Sequence, residues 1–356
     1  MNQRVLKLME RLALDQREAV LVHNPSNMFY LSGYTGEGLV LIGREMQAII
    51  TDFRYTEQAE KQAPGFSVEM TEKGVSHEAI VGRLCAEHEI GALYYEDDYL
   101  TVRSFESCRK AVPGVEWKSL HEEVQRIRQI KDEDELSRIA EACRITSEAF
   151  ERLLPEIKEG VTEKELALKL EFDMLTHGAT GLAFSTIVAA GANGSLPHAV
   201  PGDYKVRLGD MITFDFGAKY NGYCADMTRT VALGQPSDEM RKVYQTVLIA
   251  QQTARDAVMA GKCCKDIDAI ARDYIYSHGY EGRFGHGLGH SVGIDIHEEP
   301  RLSMTCSAIL EENQIMTVEP GIYLPGVGGV RIEDSVIVKK DGCIPLTSPT
   351  RELIIL

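Results

Sequence analysis

Met211-Ile212-Thr213-Phe214-Asp215-Phe216-Gly217 and Ile315-Met316-Thr317-Val318-Glu319-Pro320-Gly321 are two versions of one pattern. In each, an apolar run of strand-like composition carries a carboxylate and closes on glycine. The match extends in both directions. Downstream, Asp226-Met227-Thr228 parallels Glu333-Asp334-Ser335. Upstream, Gly160-Val161-Thr162-Glu163-Lys164 opens a helical pattern ending at His177-Gly178, and Gly261-Lys262-Cys263-Cys264-Lys265 opens another ending at His278-Gly279. Both run seventeen residues from glycine to histidine, and the offset between the copies drifts from 101 to 104 to 107 residues, as small loop insertions produce. Such a repeat predicts two similar units, each of two helices and a strand pair, sharing a core about a pseudo-two-fold axis. It also sets acid against acid at equivalent positions.

Asp226 lies eleven residues beyond Asp215, across the turn Tyr220-Asn221-Gly222-Tyr223, so a hairpin would bring their strands side by side. Glu319 and Glu333 repeat the arrangement across Pro325-Gly326-Val327-Gly328-Gly329. A carboxylate in an apolar strand is costly to bury unless it is neutralised. Four of them converging on one axis repel, and two divalent cations would relieve the repulsion by taking the oxygens as ligands. A further ligand is expected from Gly285-His286-Gly287-Leu288-Gly289-His290. Its glycines argue against a helix, so one histidine is expected to bind metal and the other to orient the substrate or the site. His198, in Leu196-Pro197-His198-Ala199, and His297, in Asp295-Ile296-His297-Glu298, are further candidates. One nitrogen and four carboxylates make a hard, oxygen-rich site, which favours manganese, with cobalt or zinc as alternatives.

The first 120 or so residues have another character. Ala19–Val22, Gly38–Ile42 and Ala48–Thr51 read as short buried strands, Tyr55–Gln62 and Glu78–His88 as helices, and the alternation predicts an α/β layer domain. Its histidines (His23, His77, His88, His121) are scattered and read as structural. A polar stretch, Arg126 to Glu135, leads into a long amphipathic helix, so the domains are expected at 1–125 and 126–356. A net charge of -16 argues against a nucleic-acid partner, which needs a basic face. Arg4, Lys7, Glu10 and Arg11 interrupt the apolar residues that a signal peptide requires, and no run is long enough to span a membrane. Eight cysteines without a CxxC pair fit a reduced, cytoplasmic protein.

Taken in order and spacing, Asp215, Asp226, His290, Glu319 and Glu333 resemble the five metal ligands of the pita-bread metallopeptidases, the family of methionine aminopeptidase, aminopeptidase P and prolidase. The motifs that carry the resemblance are Asp215-Phe216-Gly217, Asp226-Met227-Thr228-Arg229-Thr230, Gly285 to His290, Glu319-Pro320-Gly321 and Arg331-Ile332-Glu333-Asp334. Asn27 to Gly33 and Thr51 to Tyr55 are similar to the first domain of prolidase and aminopeptidase P, which methionine aminopeptidase lacks. The resemblance implies an α+β architecture: a C-terminal pita-bread domain with an internal pseudo-two-fold repeat, behind a smaller α/β creatinase-like N-terminal domain that serves substrate access and dimer contacts.

The resemblance also implies roles. Asp215 would hold one metal with both oxygens, Asp226 and Glu333 would bridge, and His290 and Glu319 would complete the other metal. His198 and His297 would handle the substrate, with either stabilising the oxyanion, and His286 would stand behind the ligands. Glu319 could also shuttle a proton to the leaving nitrogen, after attack by a water acidified between two cations. From the residues themselves, Arg331, two residues before Glu333, could fix a neighbouring carboxylate or be only a solvated charge on an exposed strand, and Arg301 could recognise the free carboxylate of a dipeptide or be a surface arginine. The expected activity is that of an Xaa-Pro dipeptidase acting on proline-containing peptides. An Xaa-Pro aminopeptidase cutting longer chains is the alternative, and a non-catalytic binding module on the same fold is the reading from another class. A homodimer is expected by analogy.

Overall fold

The computed structural model describes residues 2–356. They form two compact units that divide between Arg128 and Gln129, while residue 125 falls within the helix Glu123–Gln129. The first unit is built on a six-stranded mixed sheet. Its strands are β1 (Glu18–Val22), β2 (Leu39–Gly43), β3 (Gln47–Thr51), β4 (Ser67–Met70), β5 (Ala92–Tyr95) and β6 (Glu116–Ser119), in the order β4-β3-β2-β1-β5-β6. β1, β2 and β3 are continuous apolar runs and are buried almost throughout, as central strands covered on both faces must be. The segment Asn24 to Gly33 is a helix with a cap at each end. The Asn24 side chain accepts from the N–H groups of Ser26 and Asn27, Pro25 opens the first turn, and Gly33 closes it at φ 83°.

The second unit carries the repeat. Helix Glu133–Leu153 starts from a reciprocal cap between Asp132 and Glu135, and helix Glu163–Thr176 from the same device between Thr162 and Glu165. Helices Asp238–Asp256 and Cys264–Ser277 are their counterparts in the second half. The glycine-to-histidine interval has a structural explanation. Nδ1 of His177 lies 2.8 Å from the Asp173 carbonyl and Nδ1 of His278 lies 2.8 Å from the Tyr274 carbonyl, so each ring donates into the last turn of its helix. Gly178 and Gly279 then turn the chain at φ 110° and 88°. The repeated histidines are helix stops.

Each half has its own antiparallel sheet. Strands Ile187–Ala190, Met211–Phe216 and Met227–Ala232 form one. Strands Gly289–Ser291, Glu298–Leu302, Ile315–Val318, Asp334–Lys339 and Gly342–Pro345 form the other. Alternation along Met211–Phe216 decides where the acid points. Ile212, Phe214 and Phe216 enter one core with Phe150, whose ring meets Phe214 edge-on at 5.9 Å. Thr213 and Asp215 therefore face the other way, and Thr213 Oγ1 is 2.9 Å from Thr230 Oγ1 on the neighbouring strand. Asn221 and Gly222, both at positive φ, form the tight turn expected between the paired strands that follow.

Gly217 ends the first acidic strand where backbone meets backbone: a Cβ there would lie 1.9 Å from the Ala225 carbonyl oxygen. No side-chain rotation relieves such a clash. Gly217→Ala is therefore expected to lower unfolding stability by about 3 kcal/mol, read from denaturant titration. A variant as stable as the parent would show that the crossing is looser than described.

Candidate metal centre

Three carboxylates, Asp215, Asp226 and Glu333, each offer an oxygen within 4.8 Å of the others. Glu319 joins through His290, whose Nε2 lies 3.4 Å from Glu319 Oε1 and 3.6 Å from Asp226 Oδ2. The structure thus brings together all five residues singled out as ligands. They come from the two acidic strands, the hairpin return before Met227, the loop before Asp334, and strand Gly289–Ser291. His290 Nδ1 is 3.1 Å from its neighbour's carbonyl at Ser291, so an N–H sits there and Nε2 is the nitrogen turned to the carboxylates.

The carboxylates are half-fixed. Arg331 donates to Asp215 Oδ2 at 2.6 Å, and Thr228 Oγ1 donates to Glu333 Oε2 at 2.7 Å. The partner oxygens, Asp215 Oδ1 and Glu333 Oε1, are buried with no hydrogen-bond donor. Bare buried carboxylate oxygens beside an imidazole nitrogen that can give up its proton to a metal are the donor set that a hard divalent cation takes, so these residues fit metal ions. Burial, then the charges of Glu333, Asp215 and Glu319, pushes the Asp226 carboxyl well above its usual range. Burial, then Glu319 and Asp215, does the same to Glu333. Burial also raises Asp215, although Arg331 pulls against it. Glu319 behaves oppositely. Burial would raise it, but the hydrogen bond and charge of His290 outweigh that and hold it at about 2.

Arg331 is buried, not a solvated strand charge. Besides Asp215 it reaches Thr228 Oγ1 at 3.2 Å and Tyr323 Oη at 2.9 Å. His286 Nε2 accepts from the same Tyr323 hydroxyl at 2.9 Å, so Tyr323 and Arg331 link His286 to Asp215. The loop that holds His286 and His290 is itself held from helix Cys264–Ser277. Arg272 donates to the carbonyls of Phe284 and His286, and Asp268 accepts from the Leu288 N–H. Behind Glu333, Asp334 is wholly buried and accepts from Arg229, Thr347, Arg351 and Gln251. Sequence reading passed over Tyr323 and Asp268, which lie outside any charged motif. Thr228 lies within the Asp226-to-Thr230 motif, but its bond to Glu333 spans 105 residues and is not legible there.

The cluster forms the floor of a cavity of about 670 Å³. His198, His297 and Arg301 line the same cavity, with Phe184, Ile187 and Val200 among its apolar walls. His198 is exposed on the loop after Ser195, and the His297 ring meets His290 edge-on at 4.5 Å. Burial, with the charges of His290 and Arg301, lowers the His297 pKa. Arg301 is exposed, 3.2 Å from Glu299.

Residues 137–340 match the model of metallopeptidase family M24, and residues 3–130 match the Creatinase/Prolidase N-terminal domain. An uncharacterised peptidase of Bacillus subtilis is 41% identical over 340 residues, covering 95% of this chain and 96% of that one. An Xaa-Pro dipeptidase of Pyrococcus horikoshii is 35% identical, with 99% of each chain covered. Among solved structures, an Xaa-Pro dipeptidase from Bacillus anthracis superimposes with a TM-score of 0.95 at 39% identity, covering 99% of both chains. An X-Pro aminopeptidase from Thermotoga maritima does so at 0.91 and 38%, covering 98% of this chain and 99% of that one. The architecture is the two-domain one of these enzymes, a pita-bread domain behind a creatinase-type domain.

The raised carboxyls give the metal-free protein a testable pH signature. Asp226 and Glu333 contribute stability that is complete below the ordinary carboxylate range of about 4 and is lost as pH rises through their raised values. A divalent cation offsets that loss. Manganese at about 100 times its Kd is expected to stabilise by about 2.7 kcal/mol, or roughly 5–10 °C in Tm. The gain should be larger at pH 8 than at pH 5, and Asp226→Asn should remove most of it. Calorimetry with a chelated control measures this; a Tm indifferent to metal at both pH values would contradict the fit.

Proposed function

We propose, from the premise that this chain belongs to metallopeptidase family M24 and is a metal-dependent peptidase, that it hydrolyses the Xaa-Pro bond with two divalent cations, manganese by preference, and acts as a dipeptidase. The observation that carries the proposal is the convergence of Asp215, Asp226, His290, Glu319 and Glu333 on the floor of a cavity whose rim holds His198, His297 and Arg301. In this reading Asp215 would hold one ion, Asp226 and Glu333 would serve both, and His290 and Glu319 would complete the other. The ions, when bound, would supply Lewis acidity and an acidified water.

The remaining work falls to side chains. Glu319, a carboxylate on the cavity floor, accepts a proton and passes it to the leaving nitrogen. His297 and His198 offer ring N–H groups to the oxyanion. The lowered pKa of His297 keeps it neutral near pH 7, so it donates from one nitrogen only. A bond preceding proline has no N–H to satisfy, and the apolar wall of Phe184, Ile187 and Val200 suits the ring. Arg301 takes the substrate carboxylate, and Arg331 holds Asp215 in place. His286, through Tyr323, stiffens the contact.

A cytoplasmic location and a homodimer complete the proposal. Eight free cysteines support the first, and the second rests on family likeness alone. No helix among the described residues is long and apolar enough to cross a membrane.

The test is a matched pair, an Xaa-Pro dipeptide and an Xaa-Pro-Yaa tripeptide, assayed with manganese. The dipeptide should be the better substrate. Arg301→Ala should raise its KM about tenfold or more, the loss of one charge-assisted hydrogen bond, and leave the tripeptide little changed. Faster turnover of the tripeptide would make the enzyme an aminopeptidase. Metal analysis should find two equivalents; none, together with no cleavage, would leave only a binding module.

A further inference from the structure

One buried ion pair in the catalytic unit touches none of the proposed ligands. Lys131 and Glu298 have side chains 1% and 7% exposed, with Lys131 Nζ 3.1 Å from Glu298 Oε2. The same ammonium lies 3.3 Å from Ser291 Oγ, beside His290. The other carboxylate oxygen, Oε1, accepts from the backbone N–H groups of Ile294 at 3.0 Å and Asp295 at 3.2 Å. Glu298 thus closes a ring over the residues that precede it. The loop is held from its other side as well: the Cys224 N–H donates to the Gly293 carbonyl at 2.8 Å, and Lys219 donates to the Ile294 carbonyl at 3.2 Å. Gly293 packs so closely on the carboxylate that a Cβ would lie 2.5 Å from its oxygens.

The backbone enclosed by this ring runs from Ile294 to His297. The His297 side chain is exposed, and no hydrogen bond engages its ring among the described residues; its ring contact is the edge-on one with His290. A ring with no polar tether takes its place from its backbone. A buried ion pair is weak evidence for stability, because desolvation offsets most of the attraction. Placed directly behind a substrate-facing group, it has the form of a supporting contact that fixes a reacting side chain. We infer that the Lys131–Glu298 pair is a positioning device for His297, acting through the Ile294–His297 backbone. The inference rests on the proposal that His297 acts on the substrate.

The experiment uses the full chain. Lys131→Met removes the ammonium but leaves a buried carboxylate uncompensated. Lys131→Met/Glu298→Met replaces the whole pair with apolar side chains of similar size, which leaves no uncompensated charge, although the Ile294 and Asp295 N–H groups lose their acceptor. Turnover of an Xaa-Pro dipeptide is measured for both in wild-type and His297→Ala backgrounds, beside the thermal midpoint. The His297 ring resonance is followed in metal-free protein labelled with carbon-13 histidine, assigned by its loss in His297→Ala. The double variant is expected to stay folded at the assay temperature with a lowered midpoint, lose about 10–100-fold in kcat with a smaller change in KM, and displace the His297 resonance. In the His297→Ala background either change should cost no more than about twofold, since the group being positioned is gone. Wild-type kcat in the folded double variant, an equal loss in both backgrounds, or an unmoved His297 resonance would each overturn the inference. Absence of turnover in the wild type would instead defeat the functional proposal, and the resonance would still decide the positioning role.

Discussion

Negative charge crowded into a small buried volume is the constraint on which the rest of the catalytic unit depends. Two carboxylates about 4 Å apart repel by about 4 kcal/mol even at an effective dielectric of 20. Here Asp215, Asp226 and Glu333 meet at about that separation, and Glu319 adds a fourth charge through His290. Arg331 relieves one oxygen of Asp215 and Thr228 one oxygen of Glu333, and the others stay bare. Such a cluster costs stability unless something else neutralises it. The fold tolerates that cost because the strands beneath it are anchored in two apolar cores that do not involve the cluster.

The anchoring explains why the site belongs to neither half alone. Arg331, from the second half, pairs with Asp215 of the first, while Thr228, from the first, donates to Glu333 of the second. The Glu333 N–H in turn donates to the Thr228 carbonyl. Arg229 crosses the same seam to Asp334 and to the carbonyl of Pro349. Duplication supplies matched acids, but the stitching between the copies is asymmetric. Only the second half contributes an imidazole to the carboxylates, and only there does a glycine-rich segment before a strand need the Asp268–Arg272 pair to satisfy its backbone. A repeat can therefore be regular in sequence and still build a centre with one distinct end.

The strands, the long helices and the acidic positions were legible because they rest on local rules: an apolar run around Asp215, a polar stretch before a long amphipathic pattern, and the Asn221-Gly222 turn; the reciprocal caps at Asp132 and Thr162 are the physical reason the helices start there. What was illegible is long-range. Arg126 to Glu135 reads as a polar connection, yet Arg128, Lys131 and Glu135 are buried, because their partners lie elsewhere in the sequence. Lys131 finds Glu298 and Ser291 across more than 150 residues, at separations of 167 and 160. His177 and His278 marked the repeat correctly but for a backbone reason, since each closes a helix. Arg331 could be read from one sequence either as a solvated charge or as a clamp, and only its burial against Asp215 and Tyr323 separates the two.

Substrate length is set by even fewer groups than the metal centre. A dipeptidase and an aminopeptidase of this architecture break the same bond and need the same carboxylates, so most of the chain is indifferent to the choice. They differ in whether a negative charge arrives one residue beyond the scissile bond or is carried further out. That difference is felt only by cations at the rim, and here the rim cation, Arg301, already faces a carboxylate, Glu299, at 3.2 Å. An exposed pair of this kind is worth little, about 0.2–1 kcal/mol, so an incoming carboxylate can displace Glu299 at small cost. If Arg301 takes the substrate carboxylate as proposed, Glu299 would repel the group it must yield to, and the balance between the two charges would set how strongly a free C-terminus is preferred.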